Sequence, residues 1–220
     1  MRDIKTNVVW KHLETSKKKI IIEQGGSRSG KTYNILMWIV FGYCLRNKNK
    51  IISICRKTFP ALRTSALRDF LEILKNHELY KEEDHNKTSS EYKLNGNLIE
   101  FISLDSPTKV RGRKRDLLFI NEANELYWED WNQLIFRTVG RVILDYNPSD
   151  EFHWIYDKVK TRDDADFFKT TYKNNKFLEE SIVKEIERLQ YTDENYWRIY
   201  GLGEIGQSKS TIFSFREIET

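Results

Sequence analysis

The stretch Gly25-Gly26-Ser27-Arg28-Ser29-Gly30-Lys31-Thr32 decides the fold. It matches G-x-x-x-x-G-K-[ST] in full. Ahead of it runs Lys18-Lys19-Ile20-Ile21-Ile22-Glu23, a short β-branched strand. Behind it, residues 31 to about 45 read as a helix that is apolar on most faces through Ile35, Leu36, Trp38, Ile39, Val40 and Phe41. A helix apolar nearly all round is a buried one. Strand, glycine-rich turn and buried helix form the context in which this spacing cradles phosphate. The glycines let the backbone curl with its N–H groups inward, and the helix start adds the positive end of its dipole. Lys31 is expected to reach the β- and γ-phosphates and the Thr32 hydroxyl to ligand Mg²⁺. A chance glycine-rich turn has no reason to sit between these two elements. ATP with Mg²⁺ is the expected ligand pair, and Gly25, Gly26, Ser27, Arg28, Ser29, Gly30, Lys31 and Thr32 are the nucleotide-binding set.

The rest of the chain alternates in the same way. Ile51-Ile52-Ser53-Ile54-Cys55 is a second buried strand. Pro60 breaks the chain, and a helix is predicted over 65–76 with Leu67, Phe70, Leu71 and Leu74 on one face. Glu91-Tyr92-Lys93-Leu94 and Leu98-Ile99-Glu100-Phe101-Ile102 flank Asn95-Gly96, a hairpin signal if Asn97 opens the second strand. Leu117-Leu118-Phe119-Ile120 is the continuous apolar run of a central parallel strand. A helix over 128–137, a strand at Val142-Ile143-Leu144 ended by Asn147-Pro148, and a strand over 167–172 follow. Residues 178–190 are amphipathic, with Ile182, Val183, Ile186 and Leu189 at helical spacing. The expected fold is α/β, a P-loop NTPase of the ASCE type: a mostly parallel central sheet flanked by helices, with a small C-terminal helical lid. The expected divisions are an ATPase core over 1–177, the lid over 178–206, and the start of a linker over 207–220.

Composition sets outer bounds. A chain of 220 residues with 32% charged residues and a mean hydropathy of −0.65 is a globular protein rather than a membrane one. The net charge of +4 permits a nucleic-acid partner without establishing one. Cys44 and Cys55 have no metal or disulfide spacing, and His12, His77, His85 and His153 are scattered. The apolar run 35–44 is too short to cross a bilayer, and the N-terminus lacks a signal-peptide core. The expected location is a reducing cytoplasm, with no membrane partner.

Catalysis is read from Ile120-Asn121-Glu122. An apolar strand ending in an acidic pair is the usual partner of a phosphate loop. Here the first acidic place is Asn121, which adds no charge and could hold the metal only through a water. Glu122 is the expected base or water-orienting group for attack on the γ-phosphate, with Glu125 a weaker rival. A carboxylate beside the phosphate loop points to an ATPase doing mechanical work rather than a small-molecule kinase.

The ordered set of motifs resembles the large subunit of the terminase of tailed bacteriophages. The resemblance rests on residues 25–32, Arg56-Lys57-Thr58, Lys109-Val110-Arg111-Gly112, Ile120-Asn121-Glu122-Ala123 and Asn147-Pro148. It continues through Thr171-Tyr172-Lys173-Asn174-Asn175 to Tyr200-Gly201-Leu202-Gly203-Glu204, and so spans nearly the whole chain. It implies an ATP-driven motor that threads double-stranded viral DNA into a procapsid in the host cell cytoplasm. It also implies a portal, a small terminase subunit and a homo-oligomeric ring when assembled, with a monomer in isolation left open. In that family an RNase H-like nuclease domain follows the ATPase; residues 207–220 are too few to form one, so nuclease activity is not expected here.

Three roles come with the resemblance. Arg28 matches the loop arginine that senses or stabilises the γ-phosphate, joining Glu122 and Lys31 as catalytic candidates, with an Arg facing solvent or DNA as the alternative. Asn147 matches the polar motif coupling hydrolysis to movement, with a plain Asn-Pro turn as the alternative. In the basic run 109–115, Arg111, Arg113 and Arg115 are candidates for an arginine finger acting in trans or for DNA contact, against a solvated charge run. Arg56 and Lys57 either touch phosphate or close their strand, and Trp10 either covers an adenine ring or packs on the domain. Two rival functions remain: a helicase or repair ATPase, and a nucleotide-binding regulatory module with weak turnover.

Overall fold

The computed structural model describes residues 4–105 and 114–207. Among the described residues one sheet contains β1 (Ile20–Gly25), β2 (Ile51–Arg56), β3 (His85–Asn86), β4 (Glu91–Leu94), β5 (Asn97–Ser103), β6 (Arg115–Ile120), β7 (Thr138–Tyr146) and β8 (Ala165–Thr170). The strand order is β3-β4-β5-β2-β6-β7-β1-β8. From β5 to β8 the neighbours run parallel, and the β3–β4 and β4–β5 pairs at one edge are antiparallel. Successive side chains of a strand point to opposite faces, and the apolar runs fill both. Ile21, Ile54, Leu117, Phe119 and Ile143 face α1 (Val8–Thr15), α2 (Lys31–Met37) and α4 (Arg68–Asn76). Ile20, Ile22, Leu118, Ile120 and Leu144 face α5 (Trp128–Ile135), whose Trp131 is fully buried, and the turn carrying Ile155 and Val159.

The expected α/β architecture with a mostly parallel sheet is what the structure shows. The helix after the phosphate loop runs as α2, a π-helical stretch Trp38–Tyr43 and a 3₁₀ turn Cys44–Arg46. Asn95 (φ 53°) and Gly96 (φ 78°) make the tight hairpin turn, and Asn97 opens β5. Pro60 does not break the chain: it lies in the first turn of α3 (Phe59–Leu62), from which helical structure continues to Asn76. Proline's missing N–H costs nothing in a first turn. The segment before Lys18 forms α1, capped by Asn7, whose side chain accepts from the Val9 N–H at 2.9 Å. Val9 and Leu13 are buried there, and Trp10 packs on the same core. After β8 a 3₁₀ turn (Tyr172–Asn174) leads to α6 (Glu180–Thr192), and a π-helical turn (Trp197–Gly201) returns the chain to the phosphate loop. Among the described residues no helix is long and apolar enough to cross a membrane.

Arg115 corrects one expectation. It opens β6 and is only 1% exposed, at the strand end opposite the phosphate loop. The basic run is therefore not one solvent-facing loop: the strand begins at its last residue and turns that side chain inward. A buried Arg115 cannot reach into a neighbour's site or touch DNA. Arg111 and Arg113 lie outside the described residues.

Candidate active site at the phosphate loop

Parallel pairing brings the C-terminal ends of β1, β7 and β6 side by side, and the loops leaving them build the site. Gly30 adopts φ 79° as it starts α2, a left-handed conformation that favours glycine. Gly26 is needed for another reason: a Cβ there would lie 2.2 Å from the Tyr200 carbonyl oxygen. Arg28 takes a positive φ of 60° and is exposed at the mouth of the cleft.

Three asparagines from separate elements brace the loop. Asn175 Nδ2 donates to the Arg28 carbonyl (2.9 Å), Asn7 Nδ2 to the Ser29 carbonyl (2.9 Å), and Asn34 Nδ2 to the Gly30 carbonyl (3.0 Å). In a planar trans peptide the carbonyl and the next N–H point in opposite directions. Holding these carbonyls outward therefore turns the N–H groups of Ser29, Gly30 and Lys31 the other way, as a phosphate cradle requires. Asn34 Oδ1 also accepts from the Asn7 N–H at 2.9 Å, tying α1 to α2.

Lys31 is 7% exposed. Its Nζ donates to the carbonyls of Gly25 and Gly26 (both 3.0 Å), to Ser29 Oγ (3.3 Å) and to Asn147 Oδ1 (2.9 Å). Burial lowers its pKa, against the pull of Asp145, Glu122 and Glu23. The Thr32 hydroxyl donates to Asp145 Oδ2. Asp145, 1% exposed, receives two more bonds at Oδ1: from Asn121 Nδ2 (3.0 Å) and from the Glu122 N–H (2.9 Å). Burial raises its pKa, while its bond from Thr32 and the Lys31 charge oppose the rise.

Glu122 follows β6 in a left-handed conformation (φ 51°), its N–H fixed by Asp145. Burial, then the nearby Asp145 charge, pushes its carboxyl up to about 7. Glu125 has another partner: Arg56 clasps it through Nε (3.1 Å) and Nη2 (2.7 Å). Lys57 pairs with Asp130 (3.1 Å) beneath the Tyr127 ring. Arg56 and Lys57 thus hold the loops at the end of β2 together, and Glu125 no longer competes with Glu122.

Ser27 to Thr32, Glu122, Asn147 and Asn175 line one cleft of about 500 Å³, within the size range of small-molecule sites. The sequence-predicted Lys31, Thr32, Glu122 and Asn147 meet there, and Trp10 does not line it. Sequence reasoning missed Asp145 and the bracing amides of Asn7, Asn34 and Asn175. Asp145 carried a readable signal, an acidic residue ending an apolar strand, the same signal that marked Glu122. Asn175 lay in the quoted stretch 171–175 without a role assigned to it, while Asn7 and Asn34 carried no signal, since each is an ordinary polar residue until the fold brings it to the loop.

Hard oxygen donors are what Mg²⁺ takes, usually one or two carboxylates with substrate phosphates, and the Thr32 hydroxyl beside Asp145 is a donor set of that kind. Among the described residues no three His, Cys, Asp or Glu side chains form a metal cage without phosphate.

Fold and site together define a P-loop NTPase domain. A family model for the phage terminase large subunit matches residues 17–204, and the chain belongs to that family. The PBSX phage terminase large subunit of Bacillus subtilis (strain 168) is 26% identical over 210 residues, covering 83% of this chain and 48% of that protein. The large terminase of a thermophilic bacteriophage matches with a TM-score of 0.76 at 20% identity, over 91% of this chain and 53% of that one. Its complex with ADP gives 0.72. The large terminase ATPase domain of Thermus phage P74-26 matches with a TM-score of 0.65 at 15% identity, over 91% and 94% of the two chains. The chain spans about half the length of the curated relative it matches.

Proposed function

We propose that this chain hydrolyses ATP with Mg²⁺ and that hydrolysis drives double-stranded viral DNA into a procapsid. The observation that supports it best is the convergence of Lys31, Thr32 and Glu122 on one cleft, in a chain of the terminase family. The braced N–H groups of residues 29–31 and the Lys31 ammonium bind the phosphates. Thr32 would hold the Mg²⁺, which supplies neutralisation of phosphate charge when bound. Glu122 accepts the proton of, or orients, the attacking water. Arg28 stands at the mouth of the cleft, from which a guanidinium can neutralise charge on the γ-phosphate. Asn147 links the Lys31 ammonium to Pro148, whose carbonyl accepts from the Gly206 N–H at 3.0 Å. That chain of contacts offers a route from phosphate to the C-terminal lid.

The working form is a homo-oligomeric ring on the portal, supplied with DNA by the small terminase subunit in the host cytoplasm. DNA contacts in a translocase go to phosphates and carry little sequence information. The test is steady-state hydrolysis across a protein concentration series, with and without double-stranded DNA. Turnover per chain that rises with concentration and with DNA supports a site completed by a neighbour. Binding of ATP without hydrolysis under every condition contradicts the reading.

A further inference from the structure

We propose that the carboxylate serving Mg²⁺ in this ATPase is Asp145 of β7, with Asn121 of β6 as its neutral hydrogen-bond partner; the inference rests on the ATPase reading above. In P-loop NTPases the metal is held by the loop Ser or Thr and an acidic residue at the end of a neighbouring strand. The sequence position for that acid, following the apolar run of β6, holds Asn121.

The fold puts a carboxylate at the same place from the next strand. β7 lies between β1 and β6, Asp145 pairs in register with Glu23, and Leu144 pairs with Ile120. Asp145 therefore stands level with Asn121. Each lies two residues beyond a side chain on the α2 face of the sheet, Ile143 and Phe119, so both point toward the phosphate loop. It is Asp145 whose Oδ2 takes the Thr32 hydroxyl.

Asn121 presents the wrong atoms for a cation. A carboxylate only accepts, so the bond to Asp145 Oδ1 fixes the Asn121 NH₂ toward Asp145 and, at 3.4 Å, toward Thr32 Oγ1. Its oxygen faces Ser65 Oγ at 3.3 Å. The pairing also accounts for the choice of Asn. An Asp at 121 would set two carboxylates about 3 Å apart, which cannot both ionise. The two positions read as a transposition of acid and amide between adjacent strands.

The test uses the whole chain and a fluorescent ATP analogue, measuring Kd in excess Mg²⁺ and in EDTA. The readout is the ratio of the two. Asp145→Asn removes a buried negative charge near the phosphates, so metal-free binding should hold or tighten while binding with Mg²⁺ weakens. The ratio is expected to fall by about 10–100-fold. The double variant Asn121→Asp/Asp145→Asn returns the charge on β6 and should regain at least part of the ratio. Thermal melting, followed by circular dichroism, establishes which variants fold. An unchanged ratio in folded Asp145→Asn overturns the proposal. If that variant does not fold, a folded double variant without metal dependence overturns it equally. No binding by the unmodified chain, or binding unaffected by Lys31→Ala, would overturn the ATPase reading and this inference with it.

Discussion

The Nζ of Lys31 donates to Oδ1 of Asn147 at 2.9 Å, joining the end of β7 to the phosphate loop. Phosphate must compete with this acceptor, and with two loop carbonyls, for the same ammonium. Asn147→Ala removes one competitor and is expected to tighten ATP binding by about 2–5-fold, the value of one modest hydrogen bond. Asn147→Asp adds charge to the competitor and should weaken binding by about 10-fold. Equilibrium titration with a fluorescent ATP analogue checks both signs.

The amide brace makes a separate prediction. Asn175→Ala releases the Arg28 carbonyl and the Phe177 N–H, both at exposed contacts that water can replace, and should weaken ATP binding by about 3–10-fold with little change in stability. Asn34→Ala also strands the Asn7 N–H, so it should lower the unfolding free energy by about 1–3 kcal/mol. Urea unfolding beside the binding titration separates the two effects. Equal loss of stability in both variants would contradict the assignment.

Gly26 leaves room for the Tyr200 carbonyl, which accepts from the Ser27 N–H at 2.9 Å. Gly26→Ala must push the Trp197–Gly201 turn away from the loop. The expected outcome is faster proteolysis within residues 193–207 and a stability loss of about 1–3 kcal/mol. An unchanged digestion pattern would show that the turn does not depend on this contact.

Much of this site could be read locally and some of it could not. The phosphate loop, the apolar run of β6 and the Asn95-Gly96 turn declare themselves because their chemistry is contained in a few consecutive residues. Asp145 shows locally as an acid ending an apolar strand, but its place beside the phosphate loop needed the strand order, since β7 lies between β1 and β6. Asn7, Asn34 and Asn175 meet only through tertiary packing. Arg115 misled for the converse reason: charge counting along 109–115 cannot show where a strand begins. Pro60 misled because a breaker inside a helix is harmless in the first turn.

Glu122 gives a pH prediction with a definite sign. Its carboxyl is raised from 4.5 to about 7 by burial and by Asp145. A carboxyl raised in the folded state holds its proton more tightly than the unfolded chain does, so its contribution to stability is full below 4.5 and is lost as pH rises through about 7. Without nucleotide, Glu122→Gln should match the unmodified chain at about pH 4.5 and exceed it at about pH 8 by on the order of 1–2 kcal/mol. Urea unfolding at the two pH values checks this, and a Gln variant less stable at the higher pH would contradict it.

The proposed ATPase rests on two roles, Lys31 as the phosphate ligand and Glu122 as the group that prepares the water. The most direct measurement is ATP binding and steady-state hydrolysis for the unmodified chain, Lys31→Ala and Glu122→Gln, made side by side with Mg²⁺ and DNA present. Lys31→Ala is expected to lose binding, and Glu122→Gln to bind normally but turn over about 10²–10⁴-fold more slowly. Hydrolysis by Glu122→Gln at the unmodified rate would contradict it.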